Sequence, residues 1–228
     1  MSTLADVLPI GLILTPNSVR GRSTLSAILE AAVEVFGAST HGRQASVAAV
    51  AKRIELSPAA IYQYFPDRDA LVRAAIEQDV ALLFDAALNQ AAEYTNPMST
   101  NAFGECLERE AGAHPLAVSA IVNEGIDVAS FPRVQVRIER CVAMLVGEIK
   151  DAQANGVGRT DIEVHKLAEA IWHTAFYTTI PDRLAGVPDS PRSVWLRYLS
   201  VAAIMKSPKE ADIAEYAKGH AALNLRTA

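Results

Sequence analysis

Apolar residues recur at helical spacing along most of this 228-residue chain, and that periodicity limits its fold more than any other feature. Leu25, Ile28, Leu29, Ala32 and Phe36 follow the i, i+3, i+4, i+7 pattern that lines one face of an α-helix. No segment alternates apolar and polar residues over more than about four positions, as a half-buried strand would. Because half of the residues are apolar, a sizeable core is expected. The sequence therefore predicts an all-α protein.

Residues that favour helix starts, mainly Ser, Asp and Pro, divide the chain into three short helices and about seven longer ones. Ser46 and Ser57 are suited to N-cap positions, because a serine oxygen accepts a hydrogen bond from an otherwise unpaired backbone N–H. Pro58 takes a first helical position, where its missing N–H is harmless. The predicted helices span residues 23–37, 46–54, 57–65, 67–94, 99–112, 115–125, 131–154, 161–180, 191–206 and 208–222.

Cysteine usage and the lack of targeting signals favour a cytoplasmic protein. Cys106 and Cys141 lie far apart without a CxxC motif, which is typical of reduced thiols. The apolar run VLPIGLIL is broken by Pro9 and Gly11 and follows no basic segment, so we do not interpret it as a signal peptide. The longest apolar candidate, LAEAIWHTAFYTTI, is shorter than the roughly 18 residues of a membrane helix. We expect a buried helix there and no membrane partner.

The distribution of charge is more informative than the net charge of −5, which by itself speaks against a nucleic-acid partner. Residues 1–78 carry seven basic and seven acidic side chains, whereas the other 150 residues carry fourteen basic and nineteen acidic ones. Between Arg20 and Arg68 there are six basic residues and four acidic ones. A mildly basic segment on an acidic body fits a small module that contacts an anion.

The stretch ASVAAVAKRIELSPAAIYQYFPDRDAL, residues 45–71, contains two short amphipathic helices on either side of a tight break at Ile54-Glu55-Leu56. At about 100° per residue, Ile61 and Phe65 share the buried face of the second helix. Ala59 and Gln63 point the opposite way with Tyr62 beside them, and Tyr64 lies near the buried edge. A phenol and an amide on an exposed face are suited to contacting a polar surface.

Two short helices joined by a turn of three or four residues form the helix-turn-helix arrangement, in which the second helix enters the major groove of DNA. Gln63 can pair with adenine, and a small Ala59 lets the backbone approach the bases. The tyrosine hydroxyls of Tyr62 and Tyr64 can donate to phosphates, and both N-cap serines lie where helix dipoles favour phosphate. The alternative interpretation is a helical corner of an ordinary α protein, with its tyrosines half buried.

The same stretch closely resembles the DNA-binding domain of TetR-type (tetracycline-repressor-like) transcriptional regulators. The matching segments are ILEAAVEVF (28–36), SVAAVAKRIELSPAAIYQYF (46–65) and DRDAL (67–71). Residues 1–19 contain three Pro or Gly residues and no periodic pattern, so we expect an extended arm there. The resemblance implies a helix-turn-helix domain over 20–66 and an effector-binding and dimerisation domain over 67–228. It also implies that eight residues face DNA: Ser46, Ser57, Pro58, Ala59, Tyr62, Gln63, Tyr64 and Arg68.

Three positions depart from the usual pattern of this family. Glu55 stands where the turn normally has Gly, Ala59 replaces a frequent Gly, and the loop before Val47 is one residue longer. A non-Gly residue in a left-handed conformation costs on the order of 1 kcal/mol or more, so the Glu55 turn is expected to be less relaxed. Its carboxylate would also repel nearby phosphates mildly.

The function of residues 67–228 is marked by fewer motifs. Their apolar periodicity predicts a helical bundle. By resemblance, it forms a homodimer and binds a small-molecule effector of unknown identity. On the helix predicted over 161–180, one hypothesis is a pocket wall, and the alternative is ordinary core or dimer packing. The apolar stripe over 191–206 favours packing or a dimer interface over ligand contact. The pocket candidates are Trp172, His173, Phe176 and Tyr177.

Catalytic and metal functions are disfavoured. His165, Glu169 and His173 share a helix face, but the two histidines lie about 12 Å apart along the axis, too far to bind one ion. The sequence contains no GxSxG, HExxH, P-loop or GxGxxG motif, so we expect no catalytic residues, no metal and no cofactor. The prediction is a repressor that binds a palindromic DNA operator as a homodimer and is released by an effector; an interaction module without a DNA role is the second alternative.

Overall fold

The computed structural model describes residues 7–38, 45–92 and 100–206, and it confirms the all-α prediction. Within these ranges there is no β-strand, only an isolated bridge between Gly158 and Met205. None of the helices in this part of the chain is long and apolar enough to cross a bilayer. The helices are α1 (Val19–Gly37), α2 (Val47–Arg53), α3 (Pro58–Tyr62), α4 (Arg68–Ala92), α5 (Thr100–Glu110), α6 (Pro115–Val118), α7 (Pro132–Ala154), α8 (Val164–Leu184) and α9 (Pro191–Ile204).

The chain divides into two compact units. The first unit comprises Met1–Phe84 and Ala111–Arg137, and the second comprises Asp85–Glu110 and Ile138–Ala228. Helices α4 and α7 each contribute residues to both units.

In the first unit, α2 packs on α1 and α3 packs on α2. Each of these three helices begins at a serine whose side-chain oxygen accepts a backbone N–H bond: Ser18 from Gly21, Ser46 from Ala49 and Ser57 from Ala60. Their buried faces are the apolar ones that the periodicity predicts. The helix-turn-helix segment is therefore fixed by local signals, namely N-caps and an apolar stripe, at each helix.

Two buried carboxylates on α4 bind backbone groups from distant segments of the first unit. Glu77 accepts hydrogen bonds from Ile10 N at 2.6 Å and from Arg133 N at 2.9 Å. Asp79 accepts from Ala117 N at 2.8 Å, and its other oxygen lies 2.7 Å from His114 Nδ1. The segment before α1 is thus attached to the unit, because Ile13 N also donates to the carbonyl of Tyr64.

In the second unit, α8 packs against both α5 and α9. Arg183 of α8 is buried and pairs with Glu108 of α5 at 3.3 Å. Its guanidinium passes over Gly104, where an added Cβ would lie 2.7 Å from Arg183 Nε. At the α8–α9 turn, Asp182 accepts hydrogen bonds from the Ser193 hydroxyl and from Arg192. These polar contacts fix the helices around an apolar interior.

Several helix boundaries differ from the sequence prediction. Helix α8 begins at Val164 instead of 161, because the Glu163 carboxylate caps it while Asp161 pairs with Arg159. It also continues through Pro181 to Leu184, since a proline in the last turn removes few hydrogen bonds. The helix predicted over 115–125 is a short α6 followed by a wider π turn over Ser119–Asn123. The predicted helix 208–222 lies outside the described residues.

Both cysteines are free thiols packed in the interior. Burial raises the pKa of Cys106, and it raises the pKa of Cys141 still further. A thiol that stays protonated is a poor nucleophile, so the two side chains act as small apolar groups.

Glu148 of α7 is a carboxyl group whose pKa is also shifted by burial. Burial, aided by the neighbouring charge of Asp151, raises the pKa of this carboxyl well above its usual range. No donor among the described residues reaches its Oε1 atom. The folded state therefore favours the protonated form, and stability is lost as pH rises above the unfolded-state pKa of about 4.3.

We expect Glu148→Gln to stabilise the protein by about 1 kcal/mol or more at neutral pH, because the amide cannot ionise. The gain should vanish near pH 4, where the wild-type carboxyl is protonated in both states. Urea unfolding of both proteins at several pH values measures the difference. Glu139→Gln, an exposed change on the same helix, is the matched control and should stay within about 0.5 kcal/mol throughout. A pH-independent difference for Glu148→Gln would refute the prediction.

Candidate nucleic-acid interface

Helix α3 has one buried and one exposed face. The helix predicted over 57–65 ends at Tyr62, with Gln63 as its C-cap. Ile61 of α3 and Phe65, which follows the helix, are fully buried and attach this segment to the first unit. Ala59, Tyr62 and Gln63 are exposed, with 45% of the Tyr62 surface accessible. Pro58 is also exposed at the start of the helix. The geometry thus presents a methyl group, a phenol and an amide together on the outer side of a short, well-supported helix.

The serine side chains at the starts of α2 and α3 are exposed and already partly used. Ser46 Oγ accepts from Ala49 N at 3.2 Å, and Ser57 Oγ accepts from Ala60 N at 3.2 Å. A hydroxyl that accepts a capping bond still has its own proton to donate. Both side chains therefore keep a donor at a helix N-terminus, where the backbone dipole favours an anion.

The structure places Tyr64 and Arg68 closer to the interior than the other DNA-contact candidates. Tyr64 is 9% exposed. The Arg68 side chain is 37% exposed, and its Nε donates to the Ala45 carbonyl at 3.1 Å. Its guanidinium lies 5.5 Å from the centre of the Phe36 ring. Arg68 thus braces the segment that leads into α2, in addition to any contact it makes with DNA.

Basic side chains on α1 and α2 differ in whether they are held in an ion pair or exposed to solvent. Arg53 is held by Glu34 of α1 in a 2.5 Å ion pair. Lys52 is exposed on α2, and Arg20 and Arg22 are exposed in the first turns of α1. These exposed cations give the first unit positive charge on the same helices that frame α3.

The turn between α2 and α3 contains backbone strain at Glu55. Its φ angle is 55°, and it is the one non-glycine residue with positive φ in the described part of the chain. The N–H of the next residue, Leu56, donates back to the Ala51 carbonyl and closes the turn. A side chain in this left-handed region is disfavoured by roughly 1–2 kcal/mol because its Cβ approaches a carbonyl oxygen. The departure from glycine noted in the sequence therefore carries a conformational penalty.

We expect Glu55→Gly to stabilise the protein by about 1 kcal/mol, since glycine adopts positive φ without strain. Thermal and denaturant unfolding measure this gain. Glu55→Gln is the control, because it removes the charge but keeps the strain; its stability should stay within about 0.5 kcal/mol of wild type. Equal stabilisation by both variants would mean that charge, not conformation, is responsible.

The four effector candidates on α8 do not share one surface. Trp172 and Phe176 are buried, with 2% and 6% exposure, and their ring centroids lie 6.1 Å apart. His173 and Tyr177 are exposed, and His173 Nδ1 lies 2.9 Å from the Glu169 carbonyl. The helix turns about 100° per residue, so each candidate pair i, i+4 faces its own direction.

Phe103 of α5 was not among the predicted site residues, and its ring lies 5.6 Å from that of Trp172. The signal that could have identified it is its place as a single aromatic residue on the apolar side of a predicted helix. Glu77 and Asp79 were not predicted either, because nothing local marks a carboxylate for burial. His165 and Glu169 are exposed, and no cluster of three metal-binding side chains occurs among the described residues.

Comparison with known proteins agrees with this geometry. The family model for bacterial regulatory proteins of the tetR family matches residues 28–75, which contain α2, α3 and the start of α4. None of the curated proteins matches the chain.

Several solved structures share the fold. GusR of Salmonella enterica is 22% identical and covers 84% of this chain and 98% of its own, with a TM-score of 0.50. FadR of Thermus thermophilus, described as a TetR family transcriptional repressor in complex with lauroyl-CoA, is 17% identical over 81% of this chain and 97% of its own, with a TM-score of 0.50. Residues 28–75, which include the helix-turn-helix over α2 and α3, thus match the tetR family of bacterial regulatory proteins, and the all-α fold agrees with that match.

Proposed function

We propose that this protein is a cytoplasmic transcriptional repressor that binds a palindromic operator as a homodimer and leaves it when a small-molecule effector binds. The observation that carries the proposal is the exposed Tyr62 and Gln63 face of α3, opposite the buried Ile61 and Phe65. In this interpretation, Ala59 and Gln63 contact base edges in the major groove. The phosphate contacts come from Ser46, Ser57, Tyr62, Tyr64 and Arg68, and Pro58 faces the DNA without donating a hydrogen bond.

A dimer follows from both DNA geometry and exposed apolar surface. A single five-residue helix contacts few bases, so two copies that contact half-sites about 34–36 Å apart give useful specificity. On the packed pair α8 and α9, three large side chains are exposed: Tyr177 at 53%, Trp195 at 59% and Leu199 at 41%. We assign these residues to the interface between copies, because aromatic residues are enriched at the centres of such interfaces.

Effector control is the remaining part of the proposal. The second unit has a helical interior with aromatic side chains from α5 and α8, which is typical of small-molecule sites between helices. The related Thermus FadR is described as a complex with lauroyl-CoA. An effector that prefers a state whose two recognition helices no longer match the half-sites would release the operator by a population shift.

The first test is binding of the purified protein to the DNA upstream of its own gene, followed by fluorescence anisotropy. Two cations per protomer that flank the recognition helix, Lys52 and Arg68, amount to about four neutralised phosphates per dimer. A rise from about 50 to about 200 mM salt should then weaken binding by about 100-fold, as counterion release requires.

If the DNA upstream of the protein's own gene is not the target, the operator sequence can be found by selecting the duplexes that the protein binds from a pool of random DNA sequences. A two-fold symmetric consensus supports the homodimer, and sedimentation of the free protein gives its mass independently. The repressor proposal fails if neither the promoter nor the selected pool yields salt-dependent, sequence-specific binding. An interaction module without a DNA role would give that result.

A further inference from the structure

Three aromatic side chains form a compact cluster inside the second unit. Phe103 of α5 and Trp172 and Phe176 of α8 are 1%, 2% and 6% exposed. The ring centroids of Phe103 and Trp172 lie 5.6 Å apart, and those of Trp172 and Phe176 lie 6.1 Å apart. We call these three residues the aromatic cluster. The cluster lies where α5 packs on α8, and its three side chains are buried among these helices.

One such polar atom is present, the indole nitrogen of Trp172. No hydrogen-bond acceptor among the described residues lies within reach of Trp172 Nε1, although the atom is fully buried. A buried donor that lacks a partner is costly because it has lost its hydrogen bonds to water, and buried tryptophans usually avoid this by finding an acceptor. Phenylalanine at position 172 would fill much of the same space without burying an unpaired N–H. Packing alone therefore does not explain why tryptophan occupies this position.

The charges on the two helices define what acceptor would suit this donor. Lys166 lies six residues before Trp172 and is exposed to solvent. The guanidinium of Arg183 passes over Gly104, beside Phe103 of the cluster, and it is paired with Glu108. An anion at the indole would therefore lose its hydration and would compete with Glu108 for this counter-charge, which is unfavourable. A neutral oxygen avoids that penalty.

We propose that Trp172 Nε1–H anchors the effector, and that the effector is a largely apolar, uncharged molecule that presents a carbonyl-type oxygen to it. This inference rests on the proposed function and specifies the ligand class of the same protein. The aromatic cluster supplies apolar contact, and the indole supplies the single directional hydrogen bond. An acceptor that enters this site satisfies a donor already desolvated by folding, so the bond gains more than one formed in water.

Nuclear magnetic resonance of the full-length ¹⁵N-labelled protein tests the proposal directly, because the chain has two tryptophans and hence two indole N–H signals. Trp172→Phe assigns them, since the signal of Trp172 disappears in that variant. The exposed Trp195 serves as the internal reference. The probes are acetophenone, its near-isostere α-methylstyrene, which has a CH₂ group in place of the carbonyl oxygen, and benzoate, which is charged.

Acetophenone at millimolar concentration should shift the Trp172 signal and leave that of Trp195 in place. Calorimetry should show that α-methylstyrene and benzoate bind at least about 5-fold more weakly, the value of one neutral hydrogen bond. Trp172→Phe should weaken acetophenone binding by a similar factor while retaining helical circular dichroism and DNA binding.

Equal binding of acetophenone and α-methylstyrene overturns the proposal, because the carbonyl oxygen would then make no difference. Tighter binding of benzoate overturns the assignment of an uncharged ligand. Absence of any shift at Trp172 overturns the site itself. Each of these results leaves operator binding by the free protein unaffected, so failure of this inference is distinguishable from failure of the proposed function.

Discussion

Replacing Tyr62 by Phe and Gln63 by Ala together is expected to weaken operator binding by about 1,000-fold. Each substitution removes one hydrogen-bonding group per protomer, so a dimer loses four hydrogen bonds worth about 1 kcal/mol each. Both side chains are exposed, so the fold should not change. The measurement is fluorescence anisotropy on the selected operator at fixed salt, with circular dichroism to confirm that the variant is folded.

The two residues are expected to act differently when changed singly. Gln63→Ala should relax preference at one base position, whereas Tyr62→Phe should weaken binding to all sequences alike, because phosphate contacts carry no sequence information. Gln135→Ala, an exposed glutamine change on α7, is the matched control and should leave affinity within about 2-fold, given typical surface effects. Unchanged binding by the double variant would exclude α3 as the recognition helix.

Replacing Glu77 by Ala is expected to destabilise the protein by about 3 kcal/mol. The fully buried carboxylate accepts from Ile10 N and Arg133 N, and each N–H left unsatisfied costs roughly 1–3 kcal/mol. Burial raises the pKa of Glu77, while the two backbone donors and the nearby Arg133 and Arg137 act in the opposite direction. Urea unfolding gives the change in the free energy of unfolding.

Two comparisons separate this hydrogen-bonding role from general effects on α4. Arg73→Ala, an exposed change on the same helix, should stay within about 0.5 kcal/mol of wild type. Glu77→Gln retains one acceptor oxygen and should lose about half as much stability as Glu77→Ala. Hydrogen exchange at the Ile10 amide should also accelerate in Glu77→Ala. If that amide exchanges as slowly as in wild type, the carboxylate does not hold the N-terminal segment.

The turn before α3 combines backbone strain with an exposed negative charge beside the face proposed to contact DNA. Glu55 lies immediately before α3 in a left-handed conformation, and its carboxylate is exposed. Near phosphates this charge opposes DNA binding, so Glu55→Gln, which leaves the backbone conformation unchanged, isolates that electrostatic effect. Under the proposed function, a moderate affinity favours release of the operator, and Glu55 is one residue that would set this affinity.

The amino-acid sequence by itself determined the helical class, the helix-turn-helix and the orientation of α3. These features depend on local information: serine N-caps, Pro58 at a first helical position, and an apolar stripe that ends in Ile61 and Phe65. Such signals act within a few residues, so periodicity and capping rules are enough to find them. The left-handed conformation of Glu55 was expected from the family resemblance, because the turn usually has Gly at that position.

Tertiary structure alone decided which polar side chains and which aromatic side chains are buried. Glu77 meets the N–H of Ile10 across 67 positions of sequence, and no local pattern marks that partner. The α8 pattern made Trp172 and Tyr177 equivalent pocket candidates, yet packing on α5 buries the first and leaves the second exposed. The physical reason is that periodicity fixes which residues share a helix face, whereas only the packing of distant segments fixes what that face contacts.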